Sequence, residues 1–304
     1  MKKLLFGAII TMLALGFVGL VIKAPYVYAA QSTVNLRTTA PFAILASSEV
    51  TDVPNSVITG DVGLSPASGT FIKLVKAEVS GSIYTVTAAG PLGYTENPGL
   101  LTIAKNDLTA AYTDASGRTP ATPLTGSDNQ LGGKTLTPGV YSFSHADTAN
   151  LTAASPLTLS GNGVFIFQAS SDLITASSSS VVLTDGAQAC NVFWTVPSSG
   201  SSLGTDSSFV GTIMAYSSIN LMTRASLQGR VLAQTAAVTL DHNTITAPIE
   251  CSVTTYGETT IPKLPNTGSA SLENNQTLLA ISITAVVALI ALASFIVVRT
   301  KRAN

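Results

Sequence analysis

Two histidines with acidic neighbours are the first candidates for catalysis in this chain. His145 is followed closely by Asp147, and His242 is preceded by Asp241, so each imidazole has a carboxylate that could tune its pKa. Neither pair belongs to a nucleophile motif or has the ligand spacing of a metal site. The other acidic residues are scattered, whereas a polysaccharide hydrolase needs carboxylates that converge on one groove. We therefore expect no catalytic residues, no metal and no cofactor, with a hydrolase as the least favoured alternative.

A reactive peptide bond is indicated near the carboxyl terminus. The segment 264–268 reads Leu-Pro-Asn-Thr-Gly, and it resembles the sorting signal (LPXTG) of Gram-positive surface proteins. The resemblance implies that a sortase cleaves between Thr267 and Gly268 and joins the new carboxyl group of Thr267 to peptidoglycan. The residues that carry this signal are Leu264, Pro265, Thr267 and Gly268.

The stretch 278–298 predicts a separate transmembrane helix. Its 21 residues carry no charge and are mostly apolar. At about 1.5 Å per residue they span a bilayer core of about 30 Å. Residues 299–304 form a basic tail, and such tails stay on the cytoplasmic side. Before processing, the membrane is therefore an expected partner, and residues 253–263 would form a spacer between the wall and the preceding domain.

The amino terminus predicts a secretory signal peptide over residues 1–30. A short basic start precedes a largely apolar run, and Ala29 and Ala30 are small residues suited to cleavage. An uncleaved membrane anchor is the alternative. Because an exported chain can keep disulfides, the only two cysteines, Cys190 and Cys251, are expected to form a bridge. Two separate buried thiols are the other possibility.

Composition excludes some classes of partner. Charged residues make up 10% of the 304 positions, against about 25% in an ordinary globular chain. Apolar residues reach 46%, so this is not the composition of a disordered chain. Between residues 31 and 267 there are nine Lys and Arg against fifteen Asp and Glu. The chain has no basic footprint of the kind that binds nucleic acid, so we expect no nucleic-acid partner.

A short pattern, apolar–x–Gly–x–apolar, recurs four times along the chain, at 58–62, 79–83, 209–213 and 227–231. The last two copies belong to a longer echo with an offset of 18 residues. A short β unit cannot bury its apolar side alone, so such repeats predict coils stacked into a solenoid. The predicted fold class is therefore all-β.

Residues 98–116 break the β pattern and predict one long helix. Asn97 is suited to the N-cap and Pro98 to the first helical position. Apolar residues then follow at spacings of three and four, which builds one apolar stripe. Gly117 is a typical stop. We expect this helix to be scaffold, packed along the wall of the solenoid.

Five blocks of the domain resemble the DUF3494 family of microbial ice-binding proteins. They occur in order from about residue 40 to about residue 250. The resemblance implies a discontinuous right-handed β-solenoid (a β-helix), roughly triangular in section, with one long helix alongside. It places an ice-binding-like solenoid domain at 31–252. The blocks that carry the resemblance lie at 56–66, 107–121, 136–141, 186–194 and 229–240.

A row of small polar side chains is the candidate ice-binding site. Solenoid coils stack about 4.7–4.9 Å apart, close to a repeat of the ice lattice. On the Gly-containing strands, the outward positions include Asp61, Gln228 and Arg230, whose charge or length argues against that face. The 18-residue repeat instead aligns two other rows of residues. The second row is in register only if one extra residue is inserted near Val238. The first row has Ser199, Ser217 and Thr235, and the second has Ser202, Asn220 and Thr239.

The family resemblance gives this place a pattern, Thr–(Ala/Gly)–x–(Thr/Asn). The segments 217–220 and 235–238 both depart from it. The alternative is that the row is ordinary solvated strand surface.

Together these features predict a non-enzymatic protein that binds the surface of an ice crystal. Its expected location is the cell surface, covalently attached to the wall of a Gram-positive-type cell. The alternative function is a wall-anchored adhesin or glycan-binding module on the same scaffold. Exposed aromatic side chains along a groove would favour glycan binding, whereas a flat row of Ser, Thr and Ala favours ice. Aromatic residues are only 6% of the chain, and most fall at positions expected to be buried.

Overall fold

A computed structural model describes residues 31–124, 130–143, 149–152, 155–197 and 200–248. The chain divides into two compact units, Met1–Ser252 and Val253–Asn304, and all described residues belong to the first. No helix within these described ranges is long and apolar enough to cross a bilayer. Several predicted features lie outside the described residues, namely the signal peptide, the spacer, the sorting signal, the helix at 278–298, the basic tail, His145, Asp147, Ser199 and Cys251.

The described chain winds through three faces of parallel strands. We call them the covered face, the open face and the third face. The covered face, in spatial order, consists of β6 (Tyr94–Glu96), β5 (Ile83–Thr85), β4 (Asp61–Leu64), β1 (Phe42–Ala46), the second halves of β19 (Ser226–Ala233) and β17 (Ser208–Ala215), β15 (Val192–Val196), β12 (Phe165–Gln168), β9 (Gly139–Phe143) and β7 (Thr122–Leu124).

The other two faces complete each coil. The open face consists of β10 (Ala149–Leu151), β13 (Leu173–Thr175), β16 (Ser201–Leu203), β18 (Ile219–Leu221), β20 (Val238–Asp241) and β2 (Val50–Val53). The third face consists of β8 (Thr135–Leu136), β11 (Leu157–Ser160), β14 (Val181–Thr184), the first halves of β17 and β19, β21 (Thr244–Thr246) and β3 (Val57–Thr59). Short 3-10 turns occupy Arg37–Thr39, Gly69–Phe71, Lys76–Glu78 and Ala189–Asn191.

The echo of 18 residues corresponds to two stacked coils, as predicted. Strand β17 pairs with β19 in parallel along its whole length, from Ser208 with Ser226 to Ala215 with Ala233. The glycine in the recurring pattern lies where each coil turns from the third face to the covered face. A Cβ atom on Gly229 would lie 1.9 Å from the carbonyl oxygen of Gly211. Glycine is therefore required because the backbones of neighbouring coils touch at this corner.

The order of coils is discontinuous, which confirms that part of the fold prediction. Strand β1 lies between β4 and β19, so the first coils of the domain stack directly on the last coil. The same seam joins β2 to β20 and β3 to β21. Between the early and late coils the chain forms the helix α1 (Pro98–Gly117), and it resumes at β7, at the opposite end of the covered face.

Aromatic rings fill the interior of the solenoid. Phe167 stacks on Trp194 with a centroid distance of 3.9 Å, and Tyr141 stacks on the other side of Phe167 at 5.4 Å. Phe209 continues the row at 4.9 Å from Trp194. The indole N–H of Trp194 donates to the carbonyl of Val210 at 3.0 Å, which satisfies its one polar group. Trp194 is therefore a core residue, which agrees with the expectation that most aromatic residues are buried.

Helix α1 packs on the outer side of the covered face. It begins with the predicted cap, because Asn97 Oδ1 accepts a hydrogen bond from the Leu100 amide at 3.0 Å. It ends at Gly117, one residue beyond the predicted end. Its buried stripe consists of Leu101, Ala104, Leu108, Ala111 and Ala115. These residues form a second core with outward residues of the sheet, among them Leu45, Phe193, Met214 and Leu232.

Candidate functional site

The open face presents one row of outward side chains in register. Along β18, Ile219 and Leu221 are buried, and Asn220 between them points outward. Because parallel strands align the same position of each coil, the residues paired with Asn220 also point outward. The row, which we call the outer row, consists of Asn150, Ile174, Ser202, Asn220, Thr239 and Thr51, in spatial order.

Three predicted residues are direct neighbours in the outer row. Ser202 pairs with Asn220, and Asn220 pairs with Thr239. The predicted insertion is also present. The offset between the two coils is 18 at Ala215 and Ala233, but 19 at Ile219 and Val238. The corner between β19 and β20 is therefore one residue longer than the corner between β17 and β18.

The remaining predicted residues lie in these corners rather than on the strands. Thr235 is exposed, but both its amide and its hydroxyl donate to the carbonyl of Tyr216 in the adjacent corner. Ser217 is half-buried in that adjacent corner. The two residues therefore flank the outer row at its edge.

Three members of the outer row were missed by the sequence analysis. Asn150 and Ile174 come from coils that do not share the 18-residue echo, and Thr51 comes from the other end of the domain. Ile174 is 44% exposed and supplies an aliphatic surface to an otherwise polar row. The signal that could have found Thr51 is the discontinuous stacking, which brings the first coils next to Thr239.

None of the six outer-row side chains carries a charge. The nearest carboxylate on the same strand is Asp52, which lies on the inward side in register with the buried Leu240. The pKa of Asp52 is raised to about 6, mainly by burial; a hydrogen bond from the Ser56 hydroxyl at 2.6 Å opposes the rise, and nearby Glu78 adds to it. The Oδ2 atom of Asp52 is buried and lacks a hydrogen-bond partner among the described residues.

The sequence predicts Arg230 on the outward surface of a Gly-containing strand, where its charge would disfavour ice binding, and this prediction is wrong. This side chain is 5% exposed and lies beside the covered face, not on an open surface. Its guanidinium donates to the carbonyls of Ala40 and Pro248, both at 2.8 Å, and burial lowers its pKa to about 10. The strand turns a corner at Gly229, so Gln228, unlike Arg230, is exposed and lies on the third face. Asp61 is half-buried and accepts from the Ser82 amide at 2.8 Å.

The other candidates for chemistry have structural partners. His242 Nδ1 lies 2.6 Å from Asp241 Oδ1, and Asp241 also accepts from the Thr223 hydroxyl, which lowers its pKa together with His242. Within the described part of the chain, no group of three or more His, Cys, Asp or Glu residues could hold a metal ion. Cys190 lies in the turn before β15 and is not a free thiol. Its pairing with Cys251 stays a prediction, because Cys251 lies outside the described residues.

Comparisons with known proteins agree with this geometry. The family model described as ice-binding-like matches residues 44–246. An ice-binding protein of Flavobacterium frigoris is 43% identical over 71% of this chain and 76% of its own length. One from a Colwellia species is 42% identical over 71% of this chain and 85% of its own length. The crystal structure of an ice-binding protein from an Antarctic biological consortium is 34% identical with a TM-score of 0.63, covering 73% of this chain and 95% of that one. The chain therefore belongs to the ice-binding-like family.

Proposed function

We propose that this chain binds ice through the outer row of the open face. The observation that carries this proposal is the row itself, six uncharged side chains in register on a face that none of the described elements covers. Parallel coils repeat about every 4.7–4.9 Å, so the row offers a regular series of contacts to a periodic solid. The names of the relatives support the same function.

Affinity in such a site comes from many weak contacts that act together. Each exposed group on the row contributes little alone, but the sheet presents several of them to one crystal face at once. A long or charged side chain would interrupt the row, because it holds its own water shell. The uncharged stretch ends beyond Thr51, where the exposed Lys73 follows Ile72, the bridge partner of Val50.

The alternative, glycan binding, has less support from the position of the aromatic rings. Proteins can bind sugars through aromatic side chains that line a groove. Here Trp194, Phe167 and Phe209 lie in the solenoid interior, each no more than 1% exposed. Among the described aromatic side chains, Phe71 and Tyr216 are the strongly exposed ones, so an adhesin on this scaffold would have few rings to use.

The test compares one bulky substitution on the open face with a matched one on the third face. Thr239→Tyr places a ring in the middle of the outer row. Thr246→Tyr places the same ring on an exposed position of the third face. Both would be made in the segment 31–262 and checked for folding by circular dichroism.

We expect Thr239→Tyr to lower thermal hysteresis at least about tenfold, because the crystal can no longer contact the whole row. Thr246→Tyr should keep the parental activity. Equal loss in both variants, or in neither, would contradict the assignment of the open face. A folded parent that has no effect on ice growth or recrystallisation would contradict ice binding and favour the adhesin.

We also propose that the domain is exported and attached to the cell wall. The signal peptide, the LPXTG signal at 264–268, the apolar stretch at 278–298 and the basic tail support this as one set in the expected order. The partners would be sortase and peptidoglycan, with the membrane as a transient site. A Cys190–Cys251 bridge would join the carboxyl end of the domain to the turn before β15.

Cell fractionation tests the attachment. In a Gram-positive host with sortase, we expect muramidase to release the protein from the wall and mass spectrometry to find Thr267 as its last residue. Thr267→Ala should move the protein to the membrane fraction. Release of the parent into the medium without muramidase would contradict covalent attachment.

A further inference from the structure

A lysine on helix α1 reaches past the covered face to the corner that precedes the outer row. The ammonium group of Lys105 donates to Ser47 Oγ at 2.6 Å and to the carbonyls of Ala233 and Gln234, both at 2.8 Å. An ammonium group has three donors, and three acceptors are present, so its hydrogen bonding is complete. These acceptors are all uncharged, and no carboxylate is among them.

The corner that Lys105 contacts is the longer corner between β19 and β20. It runs over the four residues 234–237, whereas the corners on either side, 216–218 and 47–49, have three each. The extra residue turns several carbonyls toward one place. Ser47 Oγ donates to the Gln234 carbonyl at 2.6 Å, and the amides of Ser47 and Ser48 donate to the Ala236 carbonyl. Lys105 therefore supplies positive charge where carbonyl groups of this corner converge.

A buried cation without a counter-charge is costly for the fold. Burial is the cause that lowers the pKa of Lys105 to about 8, and no charged neighbour contributes to the shift. An apolar side chain of the same length would fill this space without that cost. An apolar residue would not supply the three N–H donors of the ammonium group. Two of these donors bond to the carbonyls of Ala233 and Gln234, the residues immediately before Thr235.

We infer that Lys105 is a positioning residue for the open face, which holds the four-residue corner so that Thr235 keeps its place beside Tyr216 and Thr239 its place beside Asn220. This inference rests on the proposed ice-binding function of the outer row. Lys105 itself does not reach the row, and it acts through Ser47 and the backbone of Ala233 and Gln234. Without the N–H donors of Lys105, the corner at 234–237 loses contacts that hold it in register with the corners at 216–218 and 47–49.

The domain contains a matched control. Arg230 is also a buried cation that bonds to backbone carbonyls, those of Ala40 and Pro248. It lies at the corner between the third face and the covered face, away from the outer row. Lys105→Met and Arg230→Met each replace a buried cation by an apolar chain, but only the first removes contacts to the corner at 234–237.

The experiment measures thermal hysteresis and melting temperature of the parent segment 31–262 and both variants. We expect both variants to melt at a lower temperature than the parent while staying folded near 0 °C. Lys105→Met should lose about tenfold or more in thermal hysteresis, since the row no longer engages the crystal as a unit. Arg230→Met should keep it. Amide hydrogen exchange at residues 235–239 should become faster in Lys105→Met only.

Equal activity of the two variants in an active parent would overturn the positioning role and leave the proposed function intact. An inactive parent would overturn the proposed function and this role with it. If Lys105→Met does not fold, Ser47→Ala decides, because it removes the hydroxyl that links the ammonium to the Gln234 carbonyl. Loss of activity in folded Ser47→Ala supports the role, and parental activity contradicts it.

Discussion

The covered face and the open face belong to the same coils, but their outward residues are opposite in character. On the covered face, Leu45, Phe193 and Leu232 point outward and are fully buried by helix α1. On the open face, the same coils present small polar side chains, such as Asn220 and Thr239, without a covering element. Inward residues are mostly apolar on both faces, with Asp52, Thr175 and Ser201 of the open face as polar exceptions. The inward rows therefore define the solenoid, and the outward rows decide what each face can contact.

This difference separates stability from function. The helix and the covered face form a second core, whose burial stabilises the domain. No element of the described ranges covers the outer side of the open face, so this side is accessible to an external partner. Mutations on the two faces should therefore have opposite effects on unfolding and on ice activity.

The largest effect on stability is expected from Phe193→Ala. Phe193 is fully buried between the sheet and the helix, and removal of its ring leaves a cavity there. We expect the free energy of unfolding to fall by about 3–5 kcal/mol. Urea denaturation measures this loss, and thermal hysteresis near 0 °C should be unchanged in the folded fraction. A loss below about 1 kcal/mol would show that the covered face is not a true core.

A smaller effect, of opposite sign, is expected from Asp52→Asn. The pKa of Asp52 is raised to about 6 in the folded domain, so the folded state binds this proton more tightly than the unfolded state does. The resulting stability is present below about pH 4 and is lost as the pH rises through about 6. After allowance for partial exposure to water, we expect Asp52→Asn to stabilise the domain by about 1 kcal/mol at pH 7.

Urea denaturation at two pH values measures this change. At pH 3.5 the parent carboxyl group is already protonated, so the parent and Asp52→Asn should there unfold at the same urea concentration. An equal gain at both pH values would contradict a role for the Asp52 charge.

The smallest effect on stability is expected on the outer row itself. Asn220→Thr makes the row more uniform beside Thr239, at a half-buried position with no core contact. We expect the free energy of unfolding to change by less than about 0.5 kcal/mol. Thermal hysteresis should rise, because a smaller side chain with a methyl group lets the crystal approach more closely. A folded variant with lower thermal hysteresis would contradict the proposed role of this row.

Local patterns in the sequence were enough to predict several elements. The 18-residue echo predicts the pairing of β17 with β19, and Asn97 with Pro98 marks the start of the helix. Both signals are short in range. Thr51 could not be placed in the outer row by such signals, because its neighbour Thr239 comes from the opposite end of the domain. The burial of Arg230 was missed because one of its partners, Ala40, lies 190 residues away in the chain.

The seam between the first and last coils sets an order for assembly. The coils made first, with β1 and β2, have their neighbour in β19 and β20, which are made last. The chain therefore cannot complete this stack by adding coils one by one from its amino end, because one side of β1 and of β2 finds its partner only when nearly the whole domain has been made. Contacts so far apart in sequence favour slow folding. The last coil joins the two parts of the solenoid. Without it, the first coils and the coils that follow helix α1 would form two separate stacks that share no sheet.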